Sequence, residues 1–110
     1  MEKMSKLEMI ILQSKGGKKM EKIFTYSFKD ESEQGAITFE YNDKVDEKLS
    51  VSMLNTTPMI TVNQSGALAL AKLFLKMALG EYKDGFHTHV SQDFDADKSE
   101  ALIIGVAKGK

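Results

Sequence analysis

At 110 residues, 42% hydrophobic and 28% charged, the chain has room for one modest core and lacks the composition of a disordered protein. A formal net charge of −1 provides no basic field for nucleic acid, and the absence of cysteine excludes disulfides, thiolate metal sites and cysteine nucleophiles. All 15 basic residues are lysine, so any anion site must do without the bidentate arginine fork.

Residues 1–19 form a segment of their own. Lys15-Gly16-Gly17-Lys18-Lys19-Met20 can be encoded by a ribosome-binding sequence followed by a start codon. The expectation is therefore a translated leader or a disordered arm over 1–19 and a single α+β domain over 20–110. Met9-Ile10-Ile11-Leu12 is too short to span a membrane, and no small-residue cleavage site follows it. Residues 20–110 hold 10 lysines against 14 carboxylates, a mildly acidic −4. No membrane partner is expected, and the cytoplasm is the expected compartment.

From residue 22 the pattern alternates. Phe24, Tyr26 and Phe28 share one strand face; Ile37, Phe39 and Tyr41 share a second; Leu49, Val51 and Met53 share a third. Charged loops at 29–35 and 42–48 separate them, which predicts a three-stranded antiparallel meander. Pro58 breaks the third strand, and residues 59–62 form a brief strand or an extended lead-in. Asn63 or Ser65 caps the following helix, and Gly80 ends it as a left-handed residue.

Leu70, Leu73, Phe74 and Met77 form a stripe along that helix, widened by Leu68, Leu75 and Leu79. Lys72 and Lys76 are almost its only charges. A helix this apolar must be covered on more than one side, either by loops and lysine stems or by another subunit. Lys83-Asp84-Gly85 is a turn, after which Phe86, Thr88 and Val90 alternate with His87 and His89. A polar loop at 91–100 leads to a last strand over 101–106. The predicted fold is α+β, order β-β-β-(β)-α-β-β, with one long helix packed on an antiparallel sheet.

Candidate chemistry is sparse. His87 and His89 project from one strand face about 7 Å apart, and a metal would need a third ligand such as Asp93 or Asp95. Two surface histidines on the wet face are the simpler reading, so no metal and no cofactor is expected. Asp93-Phe94-Asp95-Ala96-Asp97-Lys98 begins like a calcium loop but has Lys98 where glycine is required and Ile104 where glutamate is required. With no nucleophile–base or carboxylate pair in the sequence, an enzyme is not expected.

The run I-T-V-N-Q-S-G-A-L-A-L-A-K-L-F-L-K-M-A-L-G, then G-F-H-T-H, an acidic loop and S-E-A-L-I-I, resembles the bacterial immunity protein 32 family. The similarity spans residues 49–106 and rests on Asn63, Gly66, the leucine-rich helix, His89 and Ser99-Glu100-Ala101-Leu102. Ala96-Asp97-Lys98 stands where relatives often carry glycine.

The resemblance implies a cytosolic, non-enzymatic protein that neutralises a bacterial toxin by occluding its surface. Partner contacts are then expected at Glu31, Glu33, Asp93, Asp95 and Asp97, with Lys72 and Lys76 on the helix and a homo-oligomer through its apolar face. The alternative is an oligomeric binder of a nucleotide or anion, with His87 and His89 at the ligand.

Overall fold

The computed structural model describes residues 4–15, 18–39 and 44–109. The fold is α+β, with six strands in three antiparallel pairs and one α-helix among these residues. Strand order after residue 20 roughly follows the expectation. The chain divides into two compact units, Met1–Asp30 and Glu31–Lys110.

The first unit is one long hairpin. Strand β1 (Met4–Lys15) pairs with β2 (Lys18–Lys29) in a register running from Met4 opposite Lys29 to Lys15 opposite Lys18. Period-two spacing puts Phe24, Tyr26 and Phe28 in a row, their rings stacked at 6.2 and 5.5 Å. Tyr26 and Phe28 are buried.

The second unit begins with a single 3-10 turn, Ser32–Gln34, closed by Gly35 at φ 63. Residues 37–39 were expected as the second strand of a meander and are not a strand; Glu40 and Tyr41 lie outside the described residues. Side chains take the place of a neighbouring strand here. The Glu31 carboxylate accepts from the Thr38 N–H at 3.0 Å and from Thr38 Oγ1 at 2.9 Å, while Lys76 Nζ donates to the Thr38 carbonyl at 2.6 Å. A backbone whose polar groups are met this way does not require a ladder. The alternation still has its effect, since Ile37 and Phe39 pack against the core.

Strands β3 (Leu49–Leu54) and β4 (Thr57–Val62) form a tight hairpin across Asn55 and Thr56, with Asn55 left-handed at φ 59. The sequence reading placed a break here. Pro58 is tolerated because it faces Met53, one step from the turn-closing pair Leu54 and Thr57, where the β4 N–H would point away from β3.

Helix α1 (Gln64–Leu79) is capped by Asn63, whose Oδ1 accepts from the Gly66 N–H at 2.8 Å. Gly80 ends the helix in extended backbone, φ −81 and ψ 170, and not in the expected left-handed state; its N–H still reaches the Lys76 carbonyl. Strands β5 (His87–Ser91) and β6 (Glu100–Gly105) pair with a bulge at Val90/Ser91.

Leu49, Leu70, Leu73 and Val90 form the buried core, joined by Val62, Met77, Phe94, Leu102 and Ile104 among others. Phe74, expected in the helix stripe, is 48% exposed. Leu75, on the far side of the helix by the 100° advance per residue, is buried. The helix is therefore covered on more than one side, as its composition requires.

Candidate functional site

Three of the seven charged residues singled out from the sequence, Glu31, Asp93 and Lys76, bond back into the fold. Asp93 sits in a 3-10 turn over Gln92–Phe94, where Asp93 and Phe94 are both left-handed, at φ 52 and 58. Two successive non-glycine residues in that region cost about 1–3 kcal/mol each, so the surroundings must hold them. Asp93 Oδ1 accepts from the Leu49 N–H at 2.8 Å, Lys98 Nζ donates to Oδ2 at 2.8 Å, and the Phe94 ring packs on the core beside Phe39. The Lys98 hydrogen bond, helped by that of Leu49, holds the Asp93 carboxyl below the usual aspartate range; the same partner raises Lys98.

The start of β3 is fixed again from the helix side. Asn63 Oδ1 also accepts from the Lys48 N–H at 2.9 Å, and Asn63 Nδ2 donates to the Asp46 carbonyl. Gly66 permits the approach, because a Cβ there would lie 2.0 Å from the Lys48 carbonyl oxygen. Beside this junction a cavity of about 110 Å³ is lined by Asp46, Glu47, Lys48, Asp93, Asp95 and Lys98. Desolvation raises the Glu47 pKa, partly offset by Lys72. Asp95 closes a local turn by accepting from the Asp97 N–H at 2.9 Å.

Glu31 and Lys76, both read as partner-binding, are the two side chains that satisfy Thr38, and Lys76 is buried. Lys72 is half-buried near Glu47. Glu33 and Asp97 remain exposed.

His87 and His89 lie on one face of β5 with ring centres 5.2 Å apart. His89 Nδ1 is hydrogen-bonded to Glu100, and His87 Nδ1 lies 3.2 Å from the Gly85 carbonyl. Asp93, the first candidate for a third ligand, is committed to Leu49 and Lys98. Among the described residues no group of three histidine or carboxylate side chains is placed to hold a metal. No helix among them is long and apolar enough to cross a membrane.

A second concavity was not visible in the sequence. It is an open groove of about 590 Å³ between the 3-10 turn (Ser32, Glu33, Gln34, Gly35) and the stretch after the helix (Glu81, Tyr82, Lys83, Phe86). Tyr82 and Phe86 stack at 4.4 Å along it. The Ser32 hydroxyl accepts from the Glu81 N–H at 2.9 Å, and the Tyr82 hydroxyl donates to the Ala36 carbonyl at 2.7 Å, tying the two walls together. Of its residues only Glu33 was expected at a partner contact; alternation alone cannot place Tyr82 and Phe86 beside a loop some fifty residues earlier.

Comparison with protein-family models, with curated proteins and with solved structures returns no match to this chain. The resemblance to immunity proteins rests on its residues alone.

Proposed function

We propose that this protein is a non-enzymatic, cytoplasmic binding module of the immunity kind, which neutralises a basic toxin by covering its working surface. The Glu33/Glu81 groove carries the reading. Its aromatic pair and the Glu33 and Glu81 carboxylates, which outnumber the single Lys83 among its lining residues, suit a lysine or arginine side chain from a partner, through ring-face attraction and charge-assisted hydrogen bonds. Glu31–Lys110 holds 8 lysines against 12 carboxylates, hence −4, a charge that favours encounter with a basic surface. Asp95 and Asp97 belong to that field, and Asp93 holds the fold.

The test pairs the chain with the toxin encoded beside it, measuring the dissociation constant and growth protection. Reversing both rim charges, Glu33→Lys with Glu81→Lys, should weaken binding by about 100-fold or more, since like charges facing each other cost several kcal/mol. Unchanged affinity in a folded double variant would remove the groove from the interface. Absence of protection against any neighbouring toxin would end the immunity reading.

A further inference from the structure

The β5 histidines carry a chemistry that neither the core nor the groove uses. Positions i and i+2 of a strand stand about 7 Å apart, yet the ring centres of His87 and His89 are 5.2 Å apart, so the rings converge. Both residues are exposed. The position opposite His87 in the register is Gly105, which adds no side chain over the pair.

Each ring is held by its Nδ1. His87 Nδ1 lies 3.2 Å from the Gly85 carbonyl, and His89 Nδ1 meets the Glu100 carboxylate. A carbonyl and an ionised carboxylate can only accept, so Nδ1 carries the proton in both neutral rings. Each Nε2 is then a bare lone pair, with no partner among the described residues. A histidine oriented through its other nitrogen by a carbonyl or carboxylate is the arrangement found behind metal ligands. An anion would need protons at Nε2, which this tautomer does not present.

We propose that His87 and His89 bind one zinc ion through their two Nε2 atoms, with water in the remaining positions. A zinc–nitrogen bond of about 2.0–2.1 Å, added to the ring radius, puts the ion about 3.2 Å from each ring centre. Two centres 5.2 Å apart then subtend about 110° at the ion, the tetrahedral angle that zinc prefers. Two protein ligands make a weak, exchangeable site with open positions, unlike a closed structural site. Glu100 is a positioning residue: it fixes the His89 tautomer and raises the basicity of Nε2. The site shares no residue with the groove and does not depend on the toxin reading.

Calorimetric titration of the tag-free full chain with zinc chloride tests it. The wild type should take up one zinc per chain. His87→Ala and His89→Ala should each weaken binding by about 10-fold or more, and Glu100→Ala by about 10-fold. His87→Gln and His89→Gln replace any alanine variant that misfolds. Long-range proton–nitrogen NMR should show both rings protonated at Nδ1 before zinc and both Nε2 signals shifting with it. In Glu100→Ala the His89 ring should move toward the Nε2–H tautomer, and Glu100→Gln, which keeps an acceptor, should recover part of the affinity. No zinc uptake by the wild type, unaltered affinity in either histidine variant, or a shift confined to one ring would overturn the site. An unchanged affinity and His89 tautomer in Glu100→Ala would overturn the positioning role.

Discussion

At the base of the β3–β4 hairpin Leu49 is fully buried, and its N–H is held by Asp93; four residues along the same strand and face, Met53 is 61% exposed. The base is fixed by three separate devices: the apolar core, the Asp93 carboxylate, and the Asn63 amide acting with Gly66. Among the described residues the free end has no such device, and it carries no charge. Burial and side-chain anchoring stop within a few residues, while the strand pairing and the apolar pattern continue to the turn. The difference separates residues that hold the fold from residues available to a partner.

Truncation along the strand breaks the comparison most directly. Leu49→Ala should cost about 2–5 kcal/mol, the range for a buried leucine leaving a cavity, while Met53→Ala should change monomer stability by less than about 0.5 kcal/mol. Chemical denaturation at low protein concentration reads both. Equal losses would mean that the free end is part of the core.

Gly66→Ala should destabilise by about 1–3 kcal/mol or more, because the new methyl group meets the Lys48 carbonyl oxygen and the helix start must move. Asn63→Ala should cost about 1–2 kcal/mol, toward the upper end for a cap because the same amide also holds Lys48 and Asp46. Thermal unfolding ranks the two; a neutral Gly66→Ala would deny the close approach.

Asp93 predicts a pH dependence. Its folded pKa lies below the ordinary 3.8, so its contribution is present above that value and disappears as pH falls through the depressed one. Lys98 is the mirror case: its raised pKa gives a contribution present below 10.5 and lost as pH climbs past it. Asp93→Asn should flatten the acid limb of a stability–pH profile, and an unchanged limb would show that the carboxylate does not anchor β3. The smallest effect belongs to Glu47. Its raised pKa works against folding once it ionises, so Glu47→Gln should slightly stabilise the chain near neutral pH.

The legible parts of the fold were those encoded by local pattern. Strands around Phe24–Phe28 and Leu49–Met53, the Asn63 cap, the apolar helix and the paired histidines of β5 follow from spacing and capping chemistry. What the sequence hid were long-range substitutions of side chain for backbone. Alternation at Ile37 and Phe39 reads as a strand, but Glu31 and a buried Lys76 occupy the polar groups of Thr38 that a neighbouring strand would have used. Asp93 looks like a surface charge until its contact with Leu49, forty-four residues away in sequence, is known. Pro58 read as a breaker because its effect depends on which edge its nitrogen faces. The groove depends on residues from two distant loops, so only Glu33 was anticipated there.

The central claim is that side chains anchor the base of this hairpin, and that the anchoring does not reach its free end. Amide hydrogen exchange at Leu49 and Met53 tests it most directly. The account predicts slow exchange of the Leu49 N–H in the wild type and faster exchange in Asp93→Ala. A Leu49 N–H that exchanges as fast as that of Met53 would contradict the account.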